Sequence, residues 1–115
     1  MKTFLLIFSL FWAAVASAAD PLSWLIRTTY PSEVKTVLQA AEYLTEHTGY
    51  RVVVRYPAPL DSLQIASQPV PPIAHLNRTM SVSDALLVLI GNDNSLVVDQ
   101  EHKLLSFTGS NENEN

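Results

Sequence analysis

Few residues in this 115-residue chain are of types that could do chemistry. The histidines are His47, His75 and His102, and the acids gather most closely at Asp93, Asp99 and Glu101, around the last of them. Paired carboxylates can divide general acid and base roles when their surroundings push their pKa values apart. Nothing near these three in sequence would do that, so turn formation and solvation account for them. A zinc site would need a His-x-x-x-His helix pair or a Cys/His cluster; the histidines are scattered and cysteine is absent. No Gly-x-Ser-x-Gly elbow occurs, and the three glycines, Gly49, Gly91 and Gly109, are too dispersed for a phosphate-cradling loop. The sequence therefore points to no catalytic, metal or cofactor site, and away from an enzyme.

Charge excludes a further class. Seven Lys and Arg stand against eleven Asp and Glu, a net charge of −4, and the basic residues form no cluster. Nucleic acid and anionic membrane surfaces are thus disfavoured as partners. At the N-terminus, Lys2 precedes an apolar run over 4–15, and Ala16-Ser17-Ala18 forms a small-residue cleavage signal. Residues 1–18 read as a signal peptide cut between Ala18 and Ala19, which predicts export to the periplasm. The alternative, an uncleaved anchor, is disfavoured because the run falls short of the ~20 residues a span needs. Nothing later is apolar and long enough to span. Without cysteine the exported domain has no disulfides and must rest on its core, which a single domain over 19–107 is large enough to build. Residues 108–115 are Gly, Ser, Thr, Asn and Glu, and predict a disordered polar tail.

The elements follow from periodicity and punctuation. Residues 22–30 are aromatic and β-branched and end against Pro31, which predicts a first strand. Ser32 offers an N-cap for a helix with Val34, Val37, Leu38, Ala41 and Leu44 on one face, stopped by Gly49. Residues 50–56 alternate as a strand, with Val52, Val54 and Tyr56 on one face and Arg51, Val53 and Arg55 on a wetter one. Five prolines between Pro57 and Pro72 predict a long irregular connection with one turn of helix near 61–65. A short strand over 73–80 leads into the segment around which the chain is organised. There Ser81 caps a helix, Asp84 sits in its first turn, Val82, Ala85, Leu86, Leu89 and Ile90 form its apolar stripe, and Gly91 closes it. A hairpin follows, with strands near 96–98 and 103–107 joined through 99–102. Two strand–helix–strand halves predict an α+β fold, with two helices packed on a small mixed sheet.

Surface-bearing residues complete the reading. Trp24 on an edge strand, Pro71 and Pro72 in the proline connection, and Lys103, Leu105 and Phe107 on a final strand with an open edge are the candidate partner-binding residues. The proline connection leaves a second possibility open, a small periplasmic ligand-binding or inhibitor protein acting through that loop, which an apolar pocket beneath it would favour. The order of motifs adds a resemblance. Thr48-Gly49-Tyr50 before Arg51-Val52-Val53-Val54, then 70–76, then Met80-Ser81-Val82-Ser83-Asp84-Ala85-Leu86 and a hairpin over 95–107, resembles the short N-terminal domain shared by secretins and TonB-dependent receptors. It is closer still to the PilL proteins of type IV pilus systems on integrating conjugative elements. That resemblance implies a secretin N-terminal-domain-like module of the pilus or conjugation machinery. Such a module works through contacts with a secretin or a neighbouring pilus-assembly protein, without cofactor or turnover.

Overall fold

The computed structural model describes residues 20–109. In chain order they form a 3-10 turn (Pro21–Ser23), β1 (Leu25–Arg27), α1 (Val37–Thr45), β2 (Arg51–Val52), α2 (Ser62–Ala66) and a second 3-10 turn (Pro72–His75). Then come β3 (Thr79–Ser81), α3 (Val82–Ile90), β4 (Asn94–Asp99) and β5 (Leu104–Gly109). The class is α+β, with β1 and β3 in an antiparallel pair and a mixed sheet ordered β2–β5–β4. The signal-peptide reading, with cleavage at Ala18 and Ala19, lies outside the described residues, as do residues 110–115. Thr108 and Gly109 do not belong to a disordered tail: they pair with Ser95 and Asn94 at the end of β5.

α3 forms as its sequence dictates. The Ser81 hydroxyl accepts from the Asp84 N–H at 3.1 Å, Asp84 lies in the first turn, and Gly91 ends the helix at φ +86°, where a side chain would strain the backbone. Its stripe, Val82, Ala85, Leu86, Leu89 and Ile90, is buried throughout. α1 packs against it, and Val37, Ala40, Ala41 and Leu44 of α1 share one buried core with that stripe and with Leu105 and Phe107 of β5.

α1 starts later than Ser32 suggests. Its N-cap is Thr36, in a capping box with Gln39: the Thr36 hydroxyl accepts from the Gln39 N–H, and the Gln39 carboxamide oxygen accepts from Thr36 and Lys35 N–H groups at 3.1 and 2.7 Å. The cause is tertiary. The Lys35 carbonyl accepts from Val70 and the Val37 N–H donates to the Gln68 carbonyl, so Lys35 and Thr36 are held against the proline connection, with Thr36 extended.

The strands are shorter than local propensity predicts. β1 keeps three residues because Asp20 caps a 3-10 turn over Pro21–Ser23. β2 keeps two, and Tyr56 is 95% exposed instead of sharing the buried face of Val52 and Val54. In place of a strand over 73–80, Pro72–His75 turns and only Thr79–Ser81 pairs. The two halves also interleave: β1 pairs with β3, and β2 lies parallel to β5. A buried hydroxyl joins the first of these pairs to the turn before it, since Thr28 donates to the Leu76 carbonyl at 2.8 Å and accepts from the Arg78 N–H at 3.0 Å.

Where β2 ends, α2 takes over. Leu105 accepts from Val53, but the next N–H on that side of β5, Phe107, donates to the buried Ser62 hydroxyl at 3.1 Å, and Gly109 donates to the Asp61 carboxylate at 2.7 Å. A Cβ on Gly109 would come within 2.9 Å of that carboxylate, so any larger residue would displace it from the N–H. Ser62→Ala strands a buried N–H and is expected to cost about 2 kcal/mol. Ser81→Ala, at an exposed cap, should cost about 1 kcal/mol. Urea unfolding of the two variants checks the ordering, and a smaller loss for Ser62→Ala would show that β5 does not depend on it.

Candidate functional site

β5 is the central strand of its sheet, which overturns its reading as an open edge. Leu105 and Phe107 are core side chains, Phe107 fully so, and are not offered to a partner. Phe107→Ala should therefore destabilise by about 3–5 kcal/mol in thermal or denaturant unfolding, rather than weaken an interaction selectively. Lys103 blunts no edge. It sits at φ +58° in the hairpin turn with its ammonium 5.1 Å from the centre of the Tyr50 ring.

The true edges are β4 and β2. Successive strand residues aim their N–H and C=O groups to opposite sides. Since Leu105, Phe107 and Gly109 face the β2 side, Leu104, Ser106 and Thr108 face β4, where Asp99, Val97 and Ser95 are their register partners. The backbone groups of Leu96 and Val98 consequently point away from the sheet, and no described residue bonds them. The stretch from Ser95 to Val98 carries no charge, proline or bulge, and Val97 and Val98 are each 39% exposed. These are the features of an edge left open to strand addition.

On the opposite side, Arg51 and Val53 donate to β5, so the backbone groups of Val52 and Val54 point outward. They open into a groove of about 690 Å3 lined by residues 50–56 and by Glu42, Thr45 and Glu46 of α1. Sequence reading identified Arg51 and Arg55 as a wet face but missed this groove, because nothing local records that the end of α1 stands beside β2.

Of the remaining candidates, Trp24 is 45% exposed and its carbonyl receives the Val82 N–H at the start of α3. Pro71 lines a shallow cleft of about 180 Å3 with Ile73 and Val88, while Pro72 is exposed outside it. Clefts that hold small ligands usually measure about 300–1,000 Å3, so this one is smaller than an ordinary ligand pocket.

Burial pushes the Tyr30 hydroxyl up to about 12, aided by Tyr43, so it stays protonated at neutral pH. Among the described residues no group of three or more His, Asp or Glu is placed to hold a metal ion. Nor is any helix among them long and apolar enough to cross a membrane. Of the acids around the hairpin, Asp99 serves its turn: its carboxylate lies 2.9 Å from His102 Nδ1 and accepts from the Glu101 and His102 N–H groups.

The fold and its two edges define a small α+β domain with surfaces suited to chain contacts. No family model matches the chain, and neither a curated protein nor a solved structure does.

The hairpin clasp yields a pH expectation. The His102 side chain, and then the backbone N–H groups, hold the Asp99 carboxyl below its ordinary value. A carboxyl lowered on folding contributes stability that is present above its unfolded pKa, about 3.9, and is lost as pH falls through the lowered folded value. NMR titration should place the Asp99 midpoint below the usual carboxylate range, and His102→Ala should move it upward. An unmoved midpoint would remove the clasp from the account of the turn.

Proposed function

We propose that this chain is a periplasmic protein-interaction module that assists assembly of a type IV conjugative pilus. Its partner would be an outer-membrane secretin or a neighbouring pilus-assembly protein, taken up along the edge of β4. The observation that carries the contact mode is the pair of outward-facing backbone groups at Leu96 and Val98, in the uncharged, proline-free stretch Ser95 to Val98 of edge strand β4. The N-terminal pattern of Lys2, apolar run and Ala16-Ser17-Ala18 supports export. The ordered resemblance of 48–54, 70–76, 80–86 and 95–107 to PilL and secretin N-terminal domains supports the machinery.

Val98→Pro tests the reading. Because the Val98 N–H points outward, proline there removes a docking donor without breaking the β4–β5 ladder, whereas Val97→Pro removes a ladder bond. Cross-linking in envelope extracts should capture a secretin or pilus component with the wild type. Capture should fall at least tenfold with Val98→Pro, whose far-UV circular dichroism should match the wild type. Capture that survives this variant would move the contact off β4, and capture of no pilus component by the wild type would overturn the functional reading.

A further inference from the structure

The groove beside β2 has a property that the β4 edge lacks: opposite charges face it from two sides without meeting. Arg51 and Arg55 are exposed and both line the groove, Arg51 in β2 and Arg55 at the bend that follows it. Val52 pairs with Leu105 and faces the core with α1, so the Arg51 side chain beside it in the strand points away from the helix. Glu42 and Glu46 stand on the other side of the groove, one helical turn apart at the end of α1. Among the described residues neither arginine forms an ion pair, Glu42 forms none, and Glu46 reaches only its neighbour His47 at 4.0 Å.

The glutamates also break a local rule. Carboxylates are disfavoured near a helix C-terminus, where the backbone dipole is negative, and the last turn of α1 holds no basic residue to offset them. Charges placed against their local preference, beside unpaired backbone groups, mark a position that an external chain would complete.

We propose that this groove binds an extended peptide segment whose side chains alternate acidic and basic. Added to β2, such a segment bonds the outward groups of Val52 and Val54. Alternation does the rest, because successive residues of a strand point to opposite faces. Acidic side chains meet Arg51 on the outer face and Arg55 at the bend that follows, and basic ones meet Glu42 and Glu46 on the helix face. The site lies on the edge opposite β4 and does not rest on the pilus reading.

The test uses the full chain and three fluorescent heptapeptides: one alternating Lys and Glu, one of the same composition in two blocks, and one alternating peptide N-methylated on alternate amides. The alternating peptide should bind at least tenfold more tightly than the block peptide in anisotropy titrations, and N-methylation on the bonding edge should abolish binding. Inverting one wall, by Arg51→Glu with Arg55→Glu or by Glu42→Lys with Glu46→Lys, should weaken binding at least tenfold. Inverting both walls together should restore it, because a one-residue slip of the peptide exchanges its faces. A fourfold-inverted variant that circular dichroism shows folded yet does not bind overturns the proposal. So does a block peptide that binds as well as the alternating one. Val98→Pro should leave this binding unchanged, which separates the groove from the β4 edge.

Discussion

A strand in the middle of a sheet has two rows of backbone groups to satisfy, and in β5 one row is answered by a single strand while the other is assembled from pieces. β4 pairs with it along all six residues. On the other side β2 serves only the first part, and the Ser62 hydroxyl and Asp61 carboxylate serve the rest. Side chains at the start of α2 thus stand where a longer strand would lie. This lets β2 stop early, frees the chain to leave as an exposed proline segment, and brings α2 against the core through Ile65 and Ala66. The substitution is imperfect, since the second Asp61 oxygen is buried without a hydrogen-bond partner among the described residues.

What could be read in the sequence was whatever a local signal specifies. α3 carries its own cap, stripe and stop, and all three are found in place. The hairpin turn is likewise local, fixed by the Asp99 carboxylate on the N–H groups that follow it. α1 shows the opposite case. Ser32 is as good a cap by type as Thr36, and the choice is made by Gln68 and Val70, more than thirty residues away. The 50–56 run has strand propensity throughout, yet its pairing partner is taken over by Ser62 after two residues.

The same division governs the candidate surfaces. Lys103, Leu105 and Phe107 looked like an edge because they come last in sequence, but chain order is not sheet order once a parallel strand inserts beside them. Arg51 and Arg55 announce an exposed face by alternation alone. Their relation to Glu42 and Glu46 required knowing that β2 leaves α1 through Gly49 and runs back beside its final turn. Single residue types were legible, and opposing walls were not.

The interleaving of the two halves bears on how the chain reaches this state. β1 has no partner until β3 exists, and β2 none until β5, the final element of the described residues, about fifty positions later. Contacts of such sequence separation cost loop-closure entropy before they return any stabilisation. A fragment that stops before β3 has α1 and α2 but neither of the two sheets. Folding is then a late and collective event, and during synthesis the chain stays open until β5 has emerged.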